Sequence, residues 1–374
     1  MKLCIVTHTV AKGDGQGRVN YEVTQEALQR GHHVTLVASN IAPELQQHPQ
    51  VVWIPIVVKQ LPSQLLKELA FSWQTATWLH YHRSEFDILQ VNGAITTGSS
   101  HVNAAHFVHA SWLQSPYHTS RQRRDAYSLY QWFYTALNAI REKRAFAQAQ
   151  VVVAVSEKLK QELLKIGVPD DRIRVIVNGV DLQEFSPGFA DRSQFGLPEG
   201  VPLALFVGDI RTNRKNLDTV LNALAQISDW HLAVIGRVED SPYPEQVAQL
   251  SLDGRVHFLG YRREVPMIMR AVDLFVFPSR YEPFGMVITE AMATGLPVIT
   301  AQTTGAAEIV TPECGVVLQN PEDATALAQT LQLLQNSHLR QQMGAVGRSI
   351  VEQYSWAQMA QSYVELFEEL IQPC

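Results

Sequence analysis

Short apolar segments alternate with amphipathic segments along the whole chain, and this alternation constrains the fold more than any other feature of the sequence. Apolar strands joined by helices are typical of parallel sheets that are covered on both faces. The predicted strands are 3–7, 33–38, 51–56, 88–91, 105–108 and 151–155 in the first half, and 203–207, 232–235, 256–259, 274–277, 298–300 and 315–318 in the second half. Two such series predict an α/β protein with two doubly wound domains.

A segment rich in turn-forming residues, at 178–188, follows a further strand-like segment at 173–177 and marks the expected domain boundary. We therefore expect one domain at 1–185 and a second at 186–355. The last helix, from 356 to about 371, carries apolar residues at helical spacing, so one of its faces must pack on the protein. Ligands of doubly wound sheets bind outside the carboxyl ends of the strands, which predicts a site in a central cleft between the two domains.

Composition excludes several classes of function. The chain has 30 Lys and Arg against 36 Asp and Glu, a net charge of −6, which argues against nucleic-acid binding. Its three cysteines, Cys4, Cys314 and Cys374, form no zinc or disulfide pattern. The apolar run at 3–6 is too short for a signal peptide, and no stretch reaches bilayer length. These observations predict a cytoplasmic protein, with the inner face of the membrane as the alternative location.

The loop and helix after the fourth strand of the second series hold the strongest candidate site. Glu282 lies at the mouth of the loop, and Glu290 follows eight residues later on the helix. The backbone amides of Phe284, Gly285 and Met286 at the helix start could bind an anion or a hydroxyl. Two carboxylates without other ligands suit the vicinal hydroxyls of a sugar better than a metal ion. The alternative is that Glu282 only caps the helix and Glu290 is a solvated surface residue.

Three further segments could contact a ligand. Gly208 ends a strand and precedes Arg211, Arg214 and Lys215, which could bind a pyrophosphate or form only a solvated basic loop. Gly13, Asp14, Gly15 and Gly17 follow the first strand and open a helix, with a G-x-G-x-G spacing that does not match the dinucleotide fingerprint. The loop could admit a phosphate or a sugar, and a plain tight turn is the alternative.

The histidines do not show metal-ligand spacing. His106 with His109, and His80 with His82, lack a third ligand at a recognisable distance in the sequence, so we predict no metal site. His109 follows the predicted strand 105–108, which places it at a strand end. It could contact a ligand there, or it could be a hydrogen-bonded loop residue.

Two amphipathic segments are rich in aromatic residues. The first contains Trp73 and Trp78; the second contains Tyr127, Tyr130, Trp132, Phe133 and Tyr134 and is flanked by arginines. Such a composition could lie on an anionic bilayer, although core packing or the lining of an acceptor pocket is the more usual role. Peripheral membrane contact through the N-terminal domain is therefore one of two readings.

The chain resembles the retaining GT-B glycosyltransferases of family 4, the group 1 glycosyltransferases with the E-x7-E motif. The resemblance is carried by Glu282 and Glu290 with the Pro-Phe-Gly between them, by Lys215-Asn216, by the 178–181 segment and by Arg30-Gly31-His32, in the family's order. It implies a nucleotide sugar, linked to UDP or GDP, on the C-terminal domain and a glycan or lipid-linked acceptor on the N-terminal domain. It also implies two Rossmann-like domains, a last helix (356–374) that completes the first of them, and no metal or other cofactor.

The resemblance assigns roles to single residues. Glu290 would hold the ribose hydroxyls, while Glu282 and the amides of Phe284, Gly285 and Met286 would hold the donor sugar. Lys215, with Arg211, would neutralise the departing diphosphate. His109 would touch the transferring sugar, Gly15 and Gly17 would approach the donor phosphate beside Gly208, and Tyr261 would lie by the base.

One residue departs from the family pattern. The family usually has Arg directly after the glycine of the strand-end motif, but here Asp209 follows Gly208. Arg211 would then replace that arginine, or the phosphate is bound more weakly.

The expected activity is retaining, metal-independent hexosyl transfer. The alternatives are a phosphorylase or epimerase on the same scaffold and a catalytically silent subunit that binds nucleotide sugars.

Overall fold

The computed structural model describes residues 1–13, 15–58 and 61–372. Asp14 and the last two residues of the predicted C-terminal segment, Pro373 and Cys374, lie outside the described residues. The chain divides into two compact units, the first formed by Met1–Gly179 with Trp356–Cys374 and the second by Val180–Ser355.

The N-terminal unit is built on a parallel sheet of seven strands among its described residues, in the order β3-β2-β1-β4-β5-β6-β7. Its strands are β1 (Lys2–Val10), β2 (His33–Ile41), β3 (Val51–Pro55), β4 (Ile88–Asn92), β5 (Ser100–Ala105), β6 (Ala149–Ala154) and β7 (Ile173–Val175). Its first helices are α1 (Gly15–Gln29), α2 (Pro43–Gln46), α3 (Gln64–His82), α4 (His109–Gln114), α5 (Thr119–Gln122), α6 (Ala126–Gln148) and α7 (Glu157–Lys165).

The C-terminal unit repeats this topology with six strands among the described residues, in the order β10-β9-β8-β11-β12-β13. Its strands are β8 (Leu203–Val207), β9 (His231–Ile235), β10 (Val256–Gly260), β11 (Leu274–Phe277), β12 (Val298–Ala301) and β13 (Gly315–Leu318). Its helices are α8 (Leu217–Leu224), α9 (Tyr243–Gln249), α10 (Val265–Arg270), α11 (Met286–Ala293), α12 (Ala324–Leu333) and α13 (Ser337–Val351). The predicted α/β class with two doubly wound sheets is confirmed.

The last helix, α14 (Trp356–Ile371), belongs to the N-terminal unit. Its buried face, which includes Tyr363 and Phe367, joins the core that also holds Leu3 and Ile5 of β1. The adjacent positions of β1 face the other way, into a second core with α3, because side chains alternate along a strand. Glu368 adds a 2.9 Å ion pair with Arg30 at the end of α1. The apolar pattern of the last helix is therefore explained by packing on the first sheet.

The first unit ends at Gly179, before the boundary expected at residue 185. The Val180 N–H donates to the Tyr354 carbonyl at 2.9 Å, which ties this segment to the C-terminal unit. The guanidinium of Arg348 on α13 also donates to the carbonyls of Leu182 and Phe185. Residues 180–185 therefore pack with the second unit rather than with the first.

One predicted strand is wrong. Residues 105–108 were expected to form it, but β5 spans Ser100–Ala105 and Val108 is the N-cap of α4. Val108 is apolar because it is buried in the connection between β5 and α4, not because it belongs to a strand.

Two glycines of α13 give a matched test of the packing in the C-terminal unit. A Cβ at Gly344 would overlap the carbonyl oxygen of Gly295 and lie 2.8 Å from its carbonyl carbon, whereas a Cβ at Gly347 meets nothing closer than 3.5 Å. We expect Gly344→Ala to destabilise the unit by about 3 kcal/mol. Gly347→Ala should be neutral or stabilising by up to about 1 kcal/mol, because alanine favours the helix. Urea unfolding of both variants checks this expectation, and equal stabilities would contradict it.

Candidate functional site

The strongest cluster of predicted residues lies at the carboxyl ends of β8 and β11, which are neighbours in the second sheet. The strand order reverses between these two strands, and such a switch point is where doubly wound sheets bind ligands. Gly208 directly follows β8, and the loop that contains Glu282 follows β11. The order of the strands therefore brings together two loops that are about 70 residues apart in the sequence.

Lys215 and Glu282 form an ion pair at this switch point. Both side chains are largely buried, at 15% and 14% exposure. The ammonium group lies 5.2 Å from the ring centroid of Phe277, and the guanidinium of Arg214 is 3.7 Å from the same carboxylate oxygen of Glu282. A partly desolvated carboxylate is thus held between two cations, and both cations lie where a ligand at the strand ends would bind.

Burial sets the protonation behaviour of Lys215. Desolvation disfavours the ammonium form and lowers its pKa below the ordinary lysine value, although Glu282 and Asp209 act in the opposite direction. Lys215 is therefore a cation whose charge costs free energy in the unliganded protein. An added anion would stabilise that charge.

Arg211 is engaged by the residue that departs from the family pattern. Its Nε donates to Asp209 Oδ1 at 2.9 Å, its Nη2 donates to Oδ2 at 3.2 Å, and its backbone N–H also donates to Oδ1 at 3.1 Å. Burial alone would raise the pKa of Asp209, but these hydrogen bonds outweigh it and hold that pKa below its usual range. Asp209 therefore positions the Arg211 side chain and offsets part of its charge.

The backbone at the start of α11 takes a left-handed conformation that favours glycine at position 285. Gly285 is the N-cap with φ of +96°, a conformation that disfavours other residues. A Cβ there would also lie 3.2 Å from Glu282 Cγ. As the N-cap residue, Gly285 offers no side chain to cap α11. The Glu282 backbone is fixed by the Thr303 carbonyl and the Gly305 N–H.

The other residues predicted to bind the nucleotide-sugar donor lie around the strand ends of the same sheet. Phe284 is buried and accepts a 2.7 Å hydrogen bond from the Ala306 N–H, Met286 begins α11, and Glu290 lies on that helix at intermediate exposure. Gly208, Arg211 and Tyr261 line one hollow of about 410 Å³. Lys215 borders Gly208, since its Cγ would lie 3.3 Å from a Cβ at that glycine.

A second polar pocket, of about 160 Å³, lies at the switch point of the first sheet, outside β1, β4 and β5. His109 lines it, as the first residue of α4 rather than at a strand end. The carboxylate of Glu142 on α6 accepts from the His109 backbone N–H at 2.7 Å and lies 2.5 Å from His109 Nδ1. Because a carboxylate only accepts hydrogen bonds, this pairing places a proton on Nδ1 and leaves Nε2 for a ligand.

Glu142 and Glu68 are pocket residues that the sequence analysis missed. Glu68 on α3 accepts from Tyr134 Oη at 2.5 Å and from Asn138 Nδ2 at 3.2 Å. Arg141 extends this network with a 2.8 Å hydrogen bond to the Ala94 carbonyl. Tyr134 was considered as a pocket-lining aromatic, but no motif marked the carboxylates.

Asn92, at the end of β4, is buried and lines this pocket. Neither polar atom of its side chain has a hydrogen-bond partner within the described parts of the chain. The same holds for Nε2 of His106, whose pKa is lowered to about 4 by burial. Buried polar groups are usually hydrogen-bonded, so this pocket has both donors and acceptors available for a hydroxyl-bearing ligand.

The glycines of the first loop are placed differently from the prediction. Gly15 and Gly17 lie in the first turn of α1 rather than in a flexible loop. Gly13 takes φ of +90° and makes the turn, so the helix can begin at Gly15. Gln16, between the two helical glycines, lines the pocket of His109. Within residues 1–13, 15–58 and 61–372, no group of three His, Cys, Asp or Glu side chains is arranged to hold a metal ion.

Comparisons with known proteins agree with this architecture. The family model for glycosyl transferases group 1 matches residues 189–350, and that for glycosyltransferase family 4 matches residues 13–184. An uncharacterised glycosyltransferase of Methanocaldococcus jannaschii is 28% identical over 281 residues, 71% of each chain. The match covers 45% of the length of another curated relative, the mannosyltransferase LpsB of Rhizobium meliloti. It covers 98% of the length of a third, the N-acetyl-alpha-D-glucosaminyl L-malate synthase of Bacillus anthracis.

Two solved structures share the fold. WaaG, a glycosyltransferase involved in lipopolysaccharide biosynthesis, superimposes with a TM-score of 0.77 at 20% identity and covers 98% of this chain and 99% of its own. Anabaena HepE in complex with UDP-glucose gives a TM-score of 0.71 at 21% identity and covers 99% of this chain and 100% of its own.

Each unit holds a parallel, doubly wound sheet with polar residues at its switch point. Together with these matches, this architecture defines a GT-B glycosyltransferase. The chain belongs to the group 1 glycosyltransferases, with the family 4 domain in its N-terminal half.

Proposed function

We propose that this glycosyltransferase moves a hexose from a UDP- or GDP-linked donor to a hydroxyl group of a glycan or glycolipid, with retention of the anomeric configuration. The observation that carries the proposal is the buried pair of Lys215 and Glu282 at the ends of β8 and β11. Such a pair offers a cation for a diphosphate and a carboxylate for sugar hydroxyls at one place.

The donor would bind the C-terminal unit. Its diphosphate would accept from Lys215 and Arg211, and its sugar hydroxyls would donate to Glu282. Negative charge grows on the diphosphate as the glycosidic bond breaks, so a fixed cation there lowers the barrier. Because Lys215, Arg211 and Arg214 supply that positive charge, we expect no requirement for a metal ion.

The acceptor would bind the N-terminal unit. The pocket of His109 combines unpartnered amide atoms of Asn92 with two carboxylates, which suits a ligand that carries several hydroxyl groups. His109, oriented by Glu142, would contact the transferring sugar. The natural acceptor would then be a glycan or a glycolipid in the cytoplasm or at the inner face of the membrane.

Glu290 should contribute to donor affinity through the ribose hydroxyls. We expect Glu290→Gln to weaken UDP or GDP binding about tenfold while the fold is retained, because a carboxylate accepts hydroxyl hydrogen bonds more strongly than an amide does. Calorimetric titration with the ribonucleotide and its 2′-deoxy form tests the contact. The variant and the deoxy nucleotide should show non-additive losses, since they remove the same interaction. Additive losses would place Glu290 away from the ribose.

A thermal-shift panel of UDP, GDP, ADP and their sugar conjugates, with and without a chelator, tests donor recognition. Ligands that bind only the folded state raise its stability by mass action. One nucleotide series should stabilise the protein equally in both conditions. A shift that disappears with the chelator would contradict metal independence, and no shift with any nucleotide would contradict the donor site.

A further inference from the structure

The solvent-facing side of α6 is apolar, which is unusual for a surface helix. Leu129, Trp132, Phe133 and Ile140 are all exposed, and Phe133 is 57% exposed. Their spacing of three, four and seven residues places them on one face of the helix. The opposite face carries the buried Glu142 and Asn138 of the polar pocket.

Helix α3 extends this apolar surface. Leu66, Leu69 and Trp73 are exposed at helical spacing, and Trp73 is 71% exposed. The two helices contact each other through the hydrogen bonds of Glu68 with Tyr134 and Asn138. Of the 17 large hydrophobic residues that are exposed in the described part of the chain, nine lie on these two helices. We call the outward faces of α3 and α6 the apolar surface.

Cations lie before α6 and near its end, although the chain as a whole has a net charge of −6. Arg121, Arg123 and Arg124 precede the helix, and Lys143 and Arg144 lie near its end; all five are exposed. Arg123 forms a 2.6 Å ion pair with Asp125, so the other four carry the excess positive charge. Exposed aromatic side chains flanked by Lys and Arg are complementary to a bilayer that contains anionic lipids.

We propose that the apolar surface docks on an anionic lipid bilayer and presents the pocket on the inward faces of α3 and α6 to a lipid-linked acceptor. The proposal deepens the proposed function and rests on it for the acceptor, while the docking itself rests on the surface alone. A protein partner and a second copy of this chain are the competing occupants. The excess of cations favours the bilayer, because two copies of this surface would repel each other.

Flotation of the full chain with vesicles tests the docking. We expect binding to vesicles of phosphatidylcholine with phosphatidylglycerol, and at least tenfold weaker binding to phosphatidylcholine alone. The double variant Trp132→Ser, Phe133→Ser should lose binding at least tenfold. Phe189→Ser is the matched control, because Phe189 is 88% exposed in the other unit, and it should bind as the unchanged protein does.

A second pair of variants tests the charges. Arg121→Gln with Arg124→Gln should weaken vesicle binding and its salt dependence, whereas Lys165→Gln with Arg174→Gln, also exposed in the N-terminal unit, should not. All variants should keep the thermal shift of the unchanged protein with the nucleotide, which separates failed docking from a failed donor site. Absence of flotation, or a dimer in solution that Trp132→Ser abolishes, would overturn the proposal.

Discussion

Replacement of Lys215 by methionine should lower kcat/KM for the donor by about 100- to 1000-fold, the loss expected when a fixed group that stabilises transition-state charge is removed. Methionine keeps most of the side-chain volume between Gly208 and Phe277, so the fold should survive. Steady-state kinetics with circular dichroism checks both statements. Lys165→Met, at an exposed lysine of α7, is the control and should be active. Equal activity of the two variants would remove Lys215 from the site.

The lowered pKa of Lys215 gives this prediction a pH signature. Donor affinity should fall as the pH rises through that pKa, below the ordinary lysine value of 10.5, because the ammonium loses its proton. Folding stability should change in the opposite direction. The unfolded chain binds more protons than the folded protein between the two pKa values, so Lys215 makes stability rise with pH there. Lys215→Met should lack both effects, and a parallel fall in the variant would assign the titration to another group.

Replacement of Glu142 by glutamine should lower kcat by about 100-fold with little change in KM for the donor. The buried carboxylate holds both the backbone N–H and Nδ1 of His109, so the amide would release the ring from its tautomer and orientation. His109→Ala should lose a similar factor, and the double variant should be no worse than either single variant. Glu162→Gln, at another buried glutamate of this unit that pairs with Lys158, is the matched control. Equal losses at Glu142 and Glu162 would indicate a general effect on stability.

The proximity of Lys215 and Glu282 could be inferred from the sequence because it depends on local signals. Each residue follows an apolar strand, and parallel strands end at the same edge of a sheet. The strand order then determines which loops meet, so two residues 67 positions apart form a pair. The same logic predicted the two sheets and the apolar face of the last helix.

The network around His109 could not be inferred in this way. Glu142 lies on the inward face of a long helix whose aromatic residues dominate its pattern, and its partner is 33 residues away. The strand predicted at 105–108 and the loop predicted at Gly15 and Gly17 failed for a related reason. Burial of a connection and early initiation of a helix depend on tertiary packing, which local periodicity does not report.

The structure gives a role to Asp209, the residue that departs from the family motif. An acid next to the proposed phosphate site is unfavourable on charge alone, yet Asp209 holds Arg211 by a bidentate hydrogen bond. Donor phosphate would have to compete with Asp209 for the guanidinium of Arg211. The ammonium form of Lys215 is instead disfavoured by burial, so an added anion would stabilise it. This difference places Lys215 ahead of Arg211 in the proposed neutralisation of the leaving group.

The most direct test of the account is the release of nucleoside diphosphate from the donor that the panel selects, with a chelator present, before and after addition of glycan and lipid-linked acceptors. Release should depend on an acceptor, and the anomeric proton coupling of the product in NMR should show the donor's configuration. An inverted product, conversion of the donor sugar without release of the nucleotide, or donor binding without turnover for every acceptor would contradict the proposed function.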